Sequence, residues 1–276
     1  MLTRLAHLSD IHFGGEHVGA TEAAIGLVQG FAPHLVVVTG DLTLNGLPKE
    51  FAAARVWLSR MPRPLLVTPG NHDTPYWNLP LRAIAPFDRY RRFIGASEHA
   101  EFVSGGLSAH AINTARGAQP RLNWAQGAID LRRIADVAAR FAEEGAALKV
   151  FACHHPLIDM EGAPVTGGVH RGAAAARLLA QAGVDLILTG HVHNPFALIL
   201  PGEPRRTYAI GAGTLSLRTR GTPPSLTTIE ADAETFTVTA MGWTGAQFEP
   251  FRTWPLPRLS GGQPADGSGP RSGSGR

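Results

Sequence analysis

Cysteine is almost absent from this chain: Cys153 is the sole one among 276 residues. No intrachain disulfide can form, and nothing points to an oxidising compartment. Long apolar runs are missing as well. No window approaches the roughly 18 apolar residues needed to span a bilayer, and Met1-Leu2-Thr3-Arg4-Leu5-Ala6-His7 meets a polar motif too early for a signal-peptide core. The expectation is a soluble cytoplasmic protein with no membrane partner. Lysine is scarce, with only Lys49 and Lys149 among 25 basic residues. Biased codon usage accounts for this more simply than phosphate recognition does. Net charge is small too. Arg258, Arg271 and Arg276 against Asp266 place +2 of the formal +3 in residues 258–276, so residues 1–257 carry +1. Bulk charge therefore argues against nucleic acid as a partner.

What is present is apolar: 44% of residues are hydrophobic and 17% charged, which predicts one globular domain with a large core over residues 1–257. Residues 258–276 are Ser/Gly/Pro-rich and read as a disordered tail.

Leu2 to Leu8 predicts a first strand running into Ser9-Asp10-Ile11-His12. In an extended segment residues two apart share a face, so Asp10 and His12 can point at one ion. A helix is predicted over Thr21–Gly30. Leu35-Val36-Val37-Val38 reads as a strand buried on both faces, ending at Gly40-Asp41. A helix over Glu50–Arg60 precedes a third strand, Leu65–Thr68, which ends at Gly70-Asn71-His72-Asp73. Phe87, Tyr90 and Ile94 form a helical stripe beside Arg89 and Arg92. That pattern suits the solvated basic face of an amphipathic helix better than a phosphate clamp.

Further on, His110–Thr114 predicts a strand and Ile129–Glu144 a helix with Leu131, Ile134, Val137 and Phe141 buried. Leu148–Cys153 is a strand ending in His154-His155-Pro156, with Cys153 facing the other way as core filler. The Gly-rich stretch 161–172 predicts a mobile loop. A helix over Ala173–Ala182 then leads to the strand Val184–Thr189 and Gly190-His191-Val192-His193. Tyr208–Gly213, Ser225–Glu230 and Phe236–Met241 predict a closing antiparallel portion. Within Ser216–Gly221, Arg218 and Arg220 either aim at substrate or charge an edge strand.

Asp10, His12, Asp41, Asn71, His154, His191 and His193 thus stand at successive strand ends, where open α/β sheets place ligand sites. Imidazole with carboxylate and amide oxygen suits Mn, Fe, Zn, Co or Ni, and the near-absence of thiols argues against a closed structural zinc site. Seven donors are too many for one ion. They suffice for two if a carboxylate bridges, and ions about 3.5–4 Å apart suit in-line attack on phosphorus.

The ordered set Asp10-x-His12, Gly40-Asp41, Gly70-Asn71-His72-Asp73, His154-His155-Pro156 and Gly190-His191-x-His193 resembles the five-block signature of the calcineurin-like metallophosphoesterases. The blocks span residues 10–193 in the family's order. The resemblance implies two divalent or trivalent transition-metal ions, one held by Asp10, His12 and His193, the other by Asn71, His154 and His191, with Asp41 bridging and a shared hydroxide as nucleophile. It implies that His72 protonates the leaving group or stabilises transition-state charge, that Asp73 orients it, and that His155 lies behind the ligands or faces substrate. It also implies a four-layer α/β/β/α sandwich of two mixed sheets, whereas the residues by themselves give an α/β half and a late β-rich part.

Leu44-Asn45-Gly46 departs from the Asp-Arg-Gly of the phosphoprotein phosphatases, and Asp73 stands where they have Glu. A near-neutral fold of roughly 250 residues leaves little room for a nuclease's cap and basic groove. Gly40-Asp41-Leu42-Thr43 and Gly213-Thr214-Leu215-Ser216 are most similar to the bacterial cyclic-nucleotide and glycerophosphodiester phosphodiesterases. The expected activity is hydrolysis of a small phosphodiester. The alternatives are a nucleotide pyrophosphatase or phosphomonoesterase, and a non-catalytic metal-bound scaffold.

Overall fold

The strand Leu35–Thr39 (β2) shows how the core is divided. Side chains alternate across a strand, and here Leu35 and Val37 enter one apolar cluster while Val36 and Val38 enter another. Both faces are covered, which is why the run carries no polar residue before Thr39. The computed structural model describes residues 2–95, 97–120, 123–158, 168–200 and 206–258. The tail from residue 259 and residues 161–167 of the predicted Gly-rich loop lie outside them.

Two six-stranded sheets are formed. The first runs β12 (Phe248–Pro257), β11 (Thr235–Trp243), β10 (Ser225–Ala231), β1 (Thr3–Leu8), β2 and β3 (Leu65–Thr68). The second runs β4 (Ala100–Ser104), β5 (Leu107–Ala111), β6 (Leu148–Ala152), β7 (Leu186–Thr189), β9 (Tyr208–Gly211) and β8 (Phe196–Ile199). β1, β2 and β3 are mutually parallel, as are β5, β6, β7 and β9, and the remaining pairings are antiparallel.

Three apolar layers define four layers of structure. Leu5, Leu35, Val37 and Leu66 meet Ala109, Val150, Leu186 and Leu188 between the sheets. Outside the first sheet, Leu8, Val36 and Val38 pack on Ile25 and Val28 of α1 (Val18–Phe31) and on Phe51 and Trp57 of α2 (Pro48–Ser59). Outside the second, Phe151 and Ile187 pack on Ile134 and Phe141 of α5 (Leu131–Glu143) and Leu179 of α6 (Gly172–Gln181). This is the α/β/β/α sandwich. Cys153 lies in the outer layer, on the face opposite Ala152, as apolar filler.

Several elements differ from the sequence expectation. α1 begins three residues early because His17 Nδ1 accepts from the Ala20 amide as an N-cap. The helix α3 (Leu79–Ile84) was not expected, and the stripe of Phe87, Tyr90 and Ile94 lies on the helix after it, α4 (Asp88–Ile94), and its N-cap. Arg91 there pairs with Asp88 and Glu98, and Arg89 Nη1 donates to the Gly46 carbonyl at 2.7 Å, so this face is tied to its own surroundings. β4, β8 and β12 were not expected. β12 contains Pro250 and Pro255, which an edge strand tolerates because one side needs no ladder donors. Arg258 belongs with this strand, since its amide donates to Glu234 O at 2.6 Å. Among the described residues no helix is long and apolar enough to cross a membrane.

Candidate metal centre

Because the parallel strands of each sheet run the same way, their C-terminal ends share one edge of the sandwich. The residues following β1, β2 and β3 meet those following β6 and β7 there. Asp10, His12 and His154 are completely buried, and Asp41, His193 and Asn71 nearly so.

The distances are those of a ligand cluster. His193 Nε2 lies 3.1 Å from Asp10 Oδ1, and His12 Nε2 lies 3.7 Å from both Asp10 Oδ1 and Asp41 Oδ2. His154 Nε2 lies 3.4 Å from Asp41 Oδ2 and 3.1 Å from Asn71 Oδ1, and His191 Nδ1 lies 3.1 Å from the same amide oxygen. Carbonyl partners set the tautomers. His12 Nδ1 faces Thr43 O at 3.2 Å, His154 Nδ1 faces Thr39 O at 2.7 Å and His193 Nδ1 faces Arg218 O at 2.7 Å. A carbonyl only accepts, so each Nδ1 carries a proton and each Nε2 is the atom that faces inward, as a lone pair on His12 and His193 and, on His154 beside Asp41, as the position where a cation would replace a proton. The bare Nε2 atoms of His12 and His193 then face one another at 3.3 Å, and Asp10 Oδ1 is buried without a hydrogen-bond partner among the described residues. Lone pairs crowded on lone pairs, with an orphaned carboxylate oxygen, fit metal cations and little else.

Backbone conformation supplies the convergence. Asp10, His12, Asp41, His191 and His193 all adopt left-handed φ values, of 54°, 53°, 51°, 69° and 58°. The i, i+2 pairs therefore do not share a face by being extended, as the sequence suggested. β1 ends at Leu8 and β7 at Thr189, and each left-handed residue turns its side chain inward. The glycines before the ligands permit close approach. A Cβ on Gly190 would lie 1.8 Å from Ser9 Oγ and 2.6 Å from Asp10 Oδ2, and one on Gly70 would lie 2.1 Å from Asp41 Oδ1.

Electrostatics follow burial and pairing. Burial pushes Asp10 and Asp41 upward, but the surrounding histidines, His193 for Asp10 and His154 for Asp41, outweigh it and hold both carboxyls below their usual range. Burial lowers His12 and His191 to about 3. His154 is also penalised by burial, yet the Asp41 and Asp10 carboxylates raise it to about 9.

The remaining predicted residues separate into different roles. His72 Nδ1 donates to Leu44 O at 2.6 Å, while its Nε2 faces Arg218 Nη1 at 3.0 Å. It lies near His12 and Asp41, but a guanidinium at its free nitrogen is a poor neighbour for a cation. Asp73 does not orient this ring. Its carboxylate accepts from the Leu42, Thr43 and Gly70 amides at 3.2, 2.9 and 2.9 Å and from the Thr43 hydroxyl at 3.0 Å, which clamps the β2 and β3 ends together. Burial, and then Asp41, push Asp73 up to about 7. His155 is fully buried, accepts from Thr114 Oγ1 at Nδ1 (2.8 Å) and donates from Nε2 to Ala125 O (2.8 Å). Neither ring nitrogen is left for a substrate or a metal, so the substrate-facing alternative is replaced by one in which His155 fastens the 123–126 segment.

Arg218 and Arg220 resolve toward the site. With Asp41, Asn71, His72, His191 and His193 they line a cleft of about 260 Å³. Arg220 Nη1 is buried with no partner among the described residues. Sequence reasoning missed Trp77 and Trp124, which line a neighbouring cleft. The turn-rich Tyr76-Trp77 after the third block was the available signal.

A family model for calcineurin-like phosphoesterases matches residues 3–195. The chain belongs to that family. The chain is 39% identical over 80 residues to the glycerophosphodiester phosphodiesterase GpdQ of Enterobacter lignolyticus, a match spanning 25% of this chain and 29% of that relative. Solved structures share its fold at low identity. A dimetal phosphatase from Danio rerio has a TM-score of 0.67 at 9% identity, with 93% of this chain and 99% of that one covered. The purple acid phosphatase PPD1 from yellow lupin has a TM-score of 0.61 at 14% identity, covering 94% and 54%. GAP50, the anchor in the inner membrane complex of Plasmodium, has a TM-score of 0.64 at 15% identity, covering 94% and 90%.

Proposed function

We propose that this phosphoesterase is a dinuclear metal-dependent phosphodiesterase acting on small phosphodiesters, with glycerophosphodiesters or cyclic nucleotides as candidates. The observation that carries the proposal is the cluster of inward lone pairs with two arginines at its rim. Asp10, His12 and His193 would hold one ion and Asn71, His154 and His191 the other. Asp41 Oδ2, 3.7 Å from His12 Nε2 and 3.4 Å from His154 Nε2, would lie between them. Bound there, transition-metal ions would polarise a phosphoryl oxygen and lower the pKa of water.

The chain's own residues supply the rest. Arg218 and Arg220 place positive charge where a phosphate enters, and Arg220 Nη1 gains the acceptor it lacks. Leu44 O takes the Nδ1 proton of His72, so Nε2 is the ring atom left with a lone pair. Nε2 in turn accepts from Arg218 Nη1 at 3.0 Å, so the ring steadies the guanidinium as a fixed charge on the phosphoryl oxygens while negative charge grows there, and the departing alkoxide takes its proton from water. The sequence likeness to a glycerophosphodiester phosphodiesterase favours diesters over monoesters or pyrophosphates.

A metal-bound scaffold is the competing reading, and the structural neighbour described as an anchor shows that the fold does not decide it. His72, Arg218 and the unpartnered Arg220 Nη1 face the centre without holding a metal, and a scaffold has no use for them. The test is His72→Ala on Mn-loaded protein. Both metals should remain by elemental analysis while turnover of bis(4-nitrophenyl) phosphate falls about a hundredfold or more. A fully active variant removes His72 from the mechanism. Wild-type protein faster on monoesters than on glycerophosphodiesters and cyclic AMP overturns the diesterase reading.

A further inference from the structure

Beside the metal centre lies a second cleft, of about 610 Å³, which shares Asn71, His72, Ala125 and Arg218 with the first, so the two are continuous. Its other lining residues are Tyr76, Trp77, Leu79, Arg82 and Trp124. Trp77 is 75% exposed and Tyr76 46% exposed, which is a large apolar surface to leave in water.

The backbone that carries these rings is tied down. Tyr76 is tethered by its amide to Asn45 O at 3.1 Å, and its ring lies 4.9 Å from that of Trp77, edge to face. Asn78 follows directly, and its side chain caps α3 by accepting from the Leu81 amide at 2.9 Å. Trp77 thus sits between two fixed points. Also in the lining, the Arg82 guanidinium lies 5.5 Å from the Trp124 ring centre, and Arg82 Nε is anchored on Gly117 O at 2.9 Å. Ala125, next to Trp124, is gripped by His155 Nε2. Aromatic walls fixed before a ligand arrives bind flat groups without an ordering cost.

We infer that Trp77 and Trp124 form a stacking site for a planar ring carried on the substrate's phosphate, so that the preferred substrates are phosphodiesters bearing a nucleobase or aryl group. The inference rests on the phosphodiesterase reading for the phosphate end, since Arg218 and His72 join the two clefts. A glycerol ester offers only hydroxyls to this wall, and stacking on rings requires a π-face.

The test is calorimetric titration of the Mn-loaded full chain with AMP, ribose 5-phosphate and phenyl phosphate, which share a phosphate monoester and differ in the ring. Wild-type protein should bind AMP about five- to a hundredfold more tightly than ribose 5-phosphate, the range that base–aromatic stacking supplies. Trp77→Ala and Trp124→Ala should each remove most of that margin and leave ribose 5-phosphate within about twofold, with Trp77→Phe and Trp124→Phe recovering part of it. Phenyl phosphate following AMP identifies any planar ring as the ligand; following ribose 5-phosphate, it identifies a nucleobase. Equal binding of AMP and ribose 5-phosphate by wild type, or a parallel loss of both in the variants, overturns the inference. Turnover of thymidine 5′-(4-nitrophenyl) phosphate and glycerophosphoethanolamine separates the two readings. A ring preference in binding without diester hydrolysis sinks the phosphodiesterase and keeps the stacking site. Hydrolysis of both diesters with no ring preference does the reverse.

Discussion

Arg218→Ala is the perturbation that best separates holding the metals from using them. Residue 218 acts twice: its carbonyl takes the Nδ1 proton of His193 at 2.7 Å, and its guanidinium meets His72 Nε2 at 3.0 Å. Alanine keeps the first contact and deletes the second, so His193 stays aimed at Asp10 while the rim loses a cation. The size of the effect follows from Coulomb's law. A guanidinium about 4 Å from a phosphoryl oxygen contributes about 1 kcal/mol in water and about 4 kcal/mol at the effective dielectric of a protein surface cleft. Arg218 is exposed yet lines a cleft with buried groups, which places the loss between those limits, at about ten- to a hundredfold in kcat/KM. The assay is steady-state hydrolysis of bis(4-nitrophenyl) phosphate by Mn-loaded protein, with metal content measured on the same sample. Arg218→Lys should recover only part of the activity, because an ammonium cannot fork across two oxygens. Loss of metal from Arg218→Ala, or activity within about twofold of wild type, would refute the assignment.

Asp73→Ala should destabilise the fold by about 3 kcal/mol, seen as a lower thermal midpoint, because it strips the buried Leu42, Thr43 and Gly70 amides of their shared acceptor. His7 is buried between the sheets with Nε2 on Thr39 Oγ1 and Nδ1 unpartnered among the described residues, and burial lowers its pKa to about 3. The unfolded chain gains a proton there below about pH 6.5 that the native state refuses until about pH 3, so stability falls as pH drops through that window. His7→Leu should lose about 2 kcal/mol less than wild type between about pH 6.5 and pH 5 in denaturant titrations, and an unchanged slope would remove His7 from the account. Gly190→Ala drives a methyl group into Ser9 Oγ and Asp10 Oδ2, so the purified variant should carry less metal and melt earlier; full metal loading would show that the β1 and β7 ends can part without cost.

The strand ends were legible because two independent signals coincide in them: Val-rich runs such as Leu35–Val38, and a ligand-type residue where each run stops. The packing of one sheet on the other was not. A run buried on both faces declares that something covers it, and whether helix or sheet does so is fixed by partners such as Leu186 and Leu188, more than a hundred residues away in the chain. β12 was hidden by its prolines, and β4 and β8 by lying at the two edges of their sheet, where largely exposed side chains carry no apolar run. In the site, the donor types were readable and their supports were not. Thr39, Thr43, Leu44 and Arg218 orient His154, His12, His72 and His193 through backbone carbonyls, which every residue type carries. Asp73 and His155 were noticed for their chemistry, and each instead spends it on the fold. Trp77 and Trp124 lie on different segments and become a pair only in space.

The left-handed ligands show how the energetics of the site and the sheets are joined. Each such residue costs on the order of 1 kcal/mol, so the five together approach the whole stability of an ordinary domain. Asp and His bear this conformation better than branched residues do, but tolerance alone does not hold it. The backbone around them is tied across blocks: Asp10 N donates to Gly40 O at 3.0 Å, His12 N to Asp41 O at 3.0 Å and Gly190 N to His154 O at 2.9 Å. Side chains add a second set, with the His191 amide on Asp10 Oδ2 at 2.9 Å and the His72 amide on Asp41 Oδ1 at 2.8 Å. Each carboxylate thus uses one oxygen to fix a neighbouring block and turns the other inward. Relaxing one left-handed residue would break a bond belonging to another block, so the strain can be released only by separating the strand ends, and the apolar layer between the sheets opposes that separation.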